Sequence, residues 1–307
     1  MRAAVYDKYG DADVITVREH DDPPVGPDTV LVRVKATSVN PVDWKIRLGY
    51  LQAAYPHHLP IIPGWDVAGV VEAVGPAVVT GLKVGDEVWG YVRRDDVQWG
   101  TAAELVPAPQ RTVALKPAGL SFEEAAAVPL AGLTAYQALV EALDVQAGER
   151  VLVHAAAGGV GQFAVQIAAA RGCQVVGTAS PENHDALREL GVTEVIDYHA
   201  GPISEQLGEP VDAVLDLVGG EALEDAPRQV KDTWRIVSII DAQTVLGLGG
   251  RYVFVRPERD HLDALAALVD SGKLRVDVAE VFPLERISDA HRASESGHTR
   301  GKIVVTP

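Results

Sequence analysis

Residues 151–170 read VLVHAAAGGVGQFAVQIAAA, and this stretch constrains the fold more than any other part of the chain. An apolar, strand-like run passes through a turn of small residues into an Ala-rich helical segment. Small side chains at Gly158, Gly159, Val160 and Gly161 let backbone approach a pyrophosphate, and the free amides of a helix start carry the partial positive charge that holds it. Gly161 also permits close packing of helix on strand. The same glycines can form a tight strand-to-helix turn with no ligand, so the flanking order decides. Strands are predicted at 150–154, 174–178, 194–197 and 211–216, with helices at 161–171 and 181–190 between them. Ser180, Pro181 and Gly191 suit the cap, first turn and stop of the second helix. With further strands at 234–240 and 251–255, the rhythm predicts an α/β domain: a doubly wound parallel sheet of about six strands.

Before residue 120 the texture changes to short β-rich runs, such as 30–36, 67–74 and 87–92, separated by Gly and Pro. Ser121-Phe-Glu-Glu124 offers a capping box, so a helix is predicted to begin there. The last 50 or so residues hold an amphipathic helix near 262–269, a stop at Ser271-Gly272 and a closing strand at 302–306. Domain bounds of 1–120, 121–256 and 257–307 follow.

Acidic residues outnumber Lys plus Arg by 43 to 27, and the net charge of −16 argues against nucleic acid and anionic membrane partners. The one cysteine, Cys173, allows no internal disulfide and no cysteine-built zinc site. Without a signal-peptide core or membrane-length apolar run, the reading is a soluble, cytoplasmic protein. His57-His58 invites a metal reading, but neighbours in sequence rarely face one ion and no third ligand presents itself. An acidic ribose hook belongs about 20 residues past the first glycine, where this chain has Gly177-Thr178-Ala179-Ser180. Absence of a carboxylate there leans toward NADPH over NADH, with Glu182 close by and His184 and Arg188 on the following helix. Ser180 is a helix cap, a phosphate contact, or both.

Taken together, SVNPVDWKIRLG at 38–49, LPIIPGWDVAGVVEAVG at 59–75, VGDEVWG at 84–90, AAAVPLAGLTAYQAL at 125–139, the glycine turn, VIDY at 195–198 and TRGKIVV at 299–305 carry a resemblance. In order and spacing the chain resembles the medium-chain dehydrogenase/reductase superfamily, in its zinc-independent quinone oxidoreductase branch. That resemblance implies a GroES-like β domain, completed by the C-terminal segment, clasping a Rossmann domain with an active cleft between them. Zinc-dependent members place a catalytic cysteine in the loop matching 40–43 and a His-Glu pair at 65–66, where this chain has Trp65-Asp66; no metal is expected.

The resemblance places Asn40, Thr134, Gly159 and Val160 at the nicotinamide half of NADPH, and Ser180 and Tyr198 at its 2′-phosphate. Several members carry Lys where this chain has Asn183. Lys45 stands where enone-reducing members also have Lys; it donates to the acceptor oxygen, orders the cofactor, or is a surface lysine. Tyr50, Tyr55, Trp65 and Trp99 are candidate flat walls for a planar acceptor, or simple core. Asp43 and Asp66 are given loop-ordering roles. The implied activity is NADPH-dependent hydride transfer to a small-molecule quinone or α,β-unsaturated carbonyl. Alternatives are reduction of an enoyl thioester or polyketide intermediate, and a non-enzymatic dinucleotide-binding role. A homodimer joined through the last Rossmann strand, near 252–255, is also implied.

Overall fold

Alternating Val-rich runs of the N-terminal part bury one face in a mixed sheet. The computed structural model, which describes residues 1–297 and 299–307, divides into two compact units. The first comprises Met1–Leu130, Pro257–Asp270 and Val276–Pro307. Its seven-stranded sheet runs Val278–Pro283, Lys302–Thr306, Thr29–Val39, Asp66–Val74, Glu87–Tyr91 and Val113–Leu115, and Leu105–Pro109 pairs additionally with Thr29–Val39. Val30, Val32, Val34, Val67, Val71, Val88, Val106 and Val113 interlock beneath it. Burial of each such side chain contributes about 1.5 kcal/mol or more. The strand Lys302–Thr306 lies antiparallel to Thr29–Val39 with Ile303 opposite Val39, a register that sets Lys302 against Asn40. The predicted capping box is formed: the Glu124 amide donates to Ser121 Oγ, the Ser121 amide donates to the Glu124 carboxylate, and the helix Phe122–Ala127 follows.

The second unit, Ala131–Arg256 with Ser271–Arg275, holds six parallel strands. Their order is Glu194–Ile196, Gln174–Thr178, Arg150–Val153, Ala213–Asp216, Ile236–Ser238 and Arg251–Tyr252. Chain order therefore reverses direction on either side of Arg150–Val153, which is the switch point where doubly wound sheets take ligands at their carboxyl ends. The helix Gly161–Ala170 is buried along most of its length.

Three local expectations are corrected. The strand predicted at 234–240 is confined to Ile236–Ser238, because a 3-10 turn at Thr233–Arg235, opened by the Asp232 carboxylate, consumes its start. The strand predicted at 251–255 has two paired residues, followed by one further bond from the Val253 amide to the Ser238 carbonyl. The helix after Ser180 begins as a 3-10 turn, Pro181–Asn183, before His184–Glu189, and Ser180 makes no backbone cap. Its hydroxyl instead donates to the Glu182 carboxylate at 2.5 Å and accepts from Asn183 Nδ2 at 3.0 Å, so the Asn183 side-chain amide takes the acceptor role that a backbone cap would use. No helix among the described residues is long and apolar enough to cross a membrane.

Candidate active site

Arg150–Val153 ends in His154, and the chain turns at Ala155, whose φ of 46° lies in the left-handed region. Thr178 Oγ1, on the adjacent strand, accepts from the Ala155 amide at 3.0 Å and pins the turn to the sheet. At the helix start, Gln162, Phe163 and Ala164 donate to carbonyls of the turn, whereas the amides of Gly159, Val160 and Gly161 have no acceptor among the described residues. A Cβ on Gly161 would lie 2.3 Å from the Ala155 carbonyl oxygen and 2.6 Å from that of Ala156. Unpaired amides on a turn that excludes side chains fit a dinucleotide's phosphates. Ser180 and Tyr198 follow the next two strands outward, so parallel topology brings the glycine turn, Ser180 and Tyr198 to one sheet edge.

Charge at that edge is mixed. Glu182 sits on Ser180, whose hydroxyl bond holds the carboxyl below its usual range. Tyr198 is 51% exposed with its ring 4.1 Å from that of His199, which in turn pairs with Asp197 at 3.1 Å. Thr134 is buried on the helix Pro129–Tyr136, which continues into a π-helical turn, Gln137–Ala142. There Gln137 exchanges two hydrogen bonds with the backbone of Arg256.

A buried pair at the switch point was not foreseen. Asp216 ends the strand beside Arg150–Val153 and lies 3.1 Å from His154 Nδ1. It also accepts from Ser238 Oγ at 2.7 Å and from the amides of Val218 and Gly219. Burial pushes its carboxyl upward, but these donors outweigh it and the carboxyl stays below its ordinary value. On the far side, His154 Nε2 meets Gln229 Oε1 at 2.8 Å, and Gln229 Nε2 donates to Asp225 at 3.1 Å. Both ring nitrogens of His154 therefore face oxygens, Asp216 Oδ1 on one side and Gln229 Oε1 on the other. The network ties three strand ends together and fastens the loop behind the turn. In sequence its only signal is an Asp followed shortly by Gly219-Gly220 after a buried run.

In the first unit, Asn40 caps the helix Pro41–Arg47 and its amide donates to Asp43 Oδ2 at 2.7 Å. Its side-chain Nδ2 donates to Asp66 Oδ2 at 2.8 Å, and its Oδ1 accepts from Lys302 Nζ. Ser38 Oγ and the Leu130 amide complete the Asp66 carboxylate at 2.6 and 2.7 Å. Burial pushes Asp43 up to about 7, with Asp66 adding to the effect, and pushes Asp66 upward as well. Lys302 is lowered by burial and partly restored by the two carboxylates. The side chain of Lys45, one turn along the helix, makes no hydrogen bond among the described residues; its ammonium lies 5.5 Å from the Trp44 ring.

The four candidate wall aromatics do not form one surface. Trp65 is 5% exposed and packs between Tyr55 and Tyr91, so its ring belongs to the core. Tyr55 accepts from Arg93 at 3.1 Å, Trp99 stands edge-on to His20, and Tyr50 is 68% exposed. Among the described residues no group of three or more His, Cys, Asp or Glu is arranged to hold a metal.

A doubly wound sheet with a turn of unpaired amides at its switch edge, on a chain that also builds a separate β unit, is an architecture of dinucleotide-dependent oxidoreductases. Residues 26–118 match the alcohol dehydrogenase GroES-like domain and residues 190–305 match the zinc-binding dehydrogenase family. The chain is 38% identical to the chloroplastic NADPH-dependent alkenal/one oxidoreductase of Arabidopsis thaliana, covering 100% of this chain and 80% of that protein. It is 37% identical to 2-methylene-furan-3-one reductase of Solanum lycopersicum, covering 100% of this chain and 79% of that one. The quinone oxidoreductase of Coxiella burnetii superposes with a TM-score of 0.91 at 35% identity, covering 100% and 99% of the two chains. The chain belongs to the medium-chain dehydrogenase/reductase superfamily, in its quinone oxidoreductase branch.

Proposed function

We propose that the chain reduces a quinone or α,β-unsaturated carbonyl with NADPH and without zinc. The observation that carries this reading is the set of unpaired amides at Gly159–Gly161 in a chain that aligns from end to end with an NADPH-dependent alkenal/one oxidoreductase. NADPH supplies the hydride. The turn Gly158–Gly161 holds its phosphates, Ser180 and Tyr198 serve the 2′-phosphate end, and Asn40 and Thr134 are assigned to the nicotinamide half. Lys45, whose ammonium is uncommitted, donates to the carbonyl oxygen as negative charge develops there, and solvent delivers the proton. Tyr50, Tyr55 and Trp99 offer flat surface to the acceptor, while buried Trp65 supports Tyr55 from behind. The first unit is the catalytic domain and the second the dinucleotide-binding domain.

An NADPH-oxidation screen over quinones, enones and enoyl thioesters tests the reading. Turnover of enoyl thioesters alone would replace it with the thioester alternative, and tight NADPH binding without turnover would favour a non-enzymatic role. The loop 40–43 carries no cysteine and Trp65-Asp66 stands in place of a His-Glu pair, so the ligands that hold zinc in metal-dependent members are missing. Activity is therefore expected to survive exhaustive chelation; loss restored only by zinc would refute the zinc-free mechanism.

Lys45→Met is expected to slow single-turnover hydride transfer about tenfold while NADPH affinity holds, because a bond to a developing anion strengthens in the transition state. An unchanged transfer rate would remove Lys45 from catalysis. Glu182→Gln is expected to tighten NADPH about threefold more than NADH, since it removes a carboxylate from the Ser180 hydroxyl that the 2′-phosphate would use. Equal changes for the two cofactors in parallel titrations would count against the assignment of Ser180.

Among the described residues the strand Arg251–Tyr252 stands at the end of its sheet, paired with Ile236–Ser238, and Trp234, Leu246 and Phe254 are exposed. This edge supports a homodimer joined there, because an open apolar edge is otherwise an aggregation liability.

A further inference from the structure

We infer that Lys302 is a positioning residue that, with Asp66, fixes which end of the Asn40 side-chain amide is presented to the nicotinamide half of the cofactor. The inference rests on the proposed contact between Asn40 and that half. Its foundation is the direction of three hydrogen bonds. An ammonium can only donate and an ionised carboxylate can only accept, so an amide caught between them has one satisfactory orientation. Lys302 Nζ donates to Asn40 Oδ1 and to the Val39 carbonyl at 3.4 Å, while Asn40 Nδ2 donates to Asp66 Oδ2 at 2.8 Å. Asp66 has no freedom to turn away, because Ser38 Oγ and the Leu130 amide occupy it as well.

One hydrogen of the Asn40 Nδ2 group then remains, with no acceptor among the described residues, and it is the only polar hydrogen this side chain has to offer a ligand. A reversed amide would present its oxygen instead. Lys302 is 4% exposed and Asn40 is 2% exposed, so water does not substitute for either partner. The charged groups nearest in influence to the ammonium are Asp66 and Asp43, and their attraction opposes part of the cost of burying it. Strand register sets the contact, since Ile303 pairs with Val39 and places Lys302 directly across from Asn40.

The test separates orientation of Asn40 from simple bracing of the sheet. Lys302→Met is expected to raise the NADPH dissociation constant about tenfold and to change that of 2′-phospho-ADP-ribose, which lacks the nicotinamide ring, by less than about twofold. Asn40→Ala should show the same selective loss, and Lys302→Met added to Asn40→Ala should cost nothing more, because Lys302 acts through that amide. Equal weakening of both ligands, or losses that multiply in the double variant, would overturn the inference. No effect of Asn40→Ala on NADPH would instead remove the Asn40 assignment beneath it. Since Lys302→Met leaves Asp66 buried without its cation, Asp66→Asn with Lys302→Met is measured alongside. This charge-matched pair is expected to fold and to lose NADPH selectively, and wild-type NADPH affinity in it would equally overturn the proposal.

Discussion

Gly161→Val is expected to abolish NADPH binding and to lower the stability of the second unit together. The atoms that a Cβ would strike are backbone carbonyl oxygens, 2.3 Å away at Ala155 and 2.6 Å away at Ala156, and neither can rotate aside as a side chain would. The helix must move off the strand end, which carries the unpaired amides of Gly159–Gly161 away from one another. A loss of about 3 kcal/mol in stability, and at least about a hundredfold in NADPH affinity, is expected. Gly158→Ala makes the contrast, since its nearest neighbour, the Ala155 oxygen, is 3.2 Å from the added carbon and a shift of a few tenths of an ångström relieves it. Thermal unfolding and NADPH fluorescence titration of the two variants check this. A Gly161→Val protein with wild-type affinity would show that the turn is not the phosphate site.

The second large effect is on pH-dependent stability. Burial raises the Asp43 carboxyl from 3.8 to about 7, aided by Asp66, although the amides of Asn40 and Gly64 oppose the rise. The folded state therefore holds a proton that the unfolded chain releases near pH 4. The corresponding stability is complete below that pH, declines as pH rises toward about 7, and is gone above it. A shift of this size corresponds to about 4 kcal/mol. Carboxyls held low in the fold, such as Asp212 and Asp216, act in the opposite sense at lower pH. Asp43→Asn isolates the term, because its amide oxygen can still accept a backbone bond but does not titrate. Urea denaturation at pH 5 and pH 8 should show the variant gaining on the wild type as pH rises. Parallel stability profiles would mean that Asp43 is ionised throughout.

The candidate site was legible to different depths in its two halves. Around the glycine turn, the strand, the small residues and the helix are contiguous, and the reasons for each lie within a few residues. The capping box at Ser121 is local in the same way, and it formed as expected. Ser180 shows where local reasoning stops: the same sequence offers its oxygen a backbone amide or the Asn183 side-chain amide as donor, and the side chain takes it while the hydroxyl proton goes to Glu182. Among the aromatics, alternation along a β chain does not reveal which face meets the core. Trp65 and Trp99 read alike in sequence, yet one is packed between Tyr55 and Tyr91 and the other stands against His20.

By itself the sequence determined a parallel α/β sheet with a phosphate-type turn, a separate β-rich part, and a chain without cysteine ligands for zinc. Periodicity, caps and glycine placement are written in neighbouring residues, so they are readable without coordinates. Tertiary structure alone decided that Lys302 would meet Asn40 across 262 residues, and that His154 would meet Asp216 across 62. Those meetings depend on strand order and register, where a shift of one residue turns every side chain to the opposite face. A buried charge must find its counter-charge or not be buried at all, and only the assembled sheets show which partner that is.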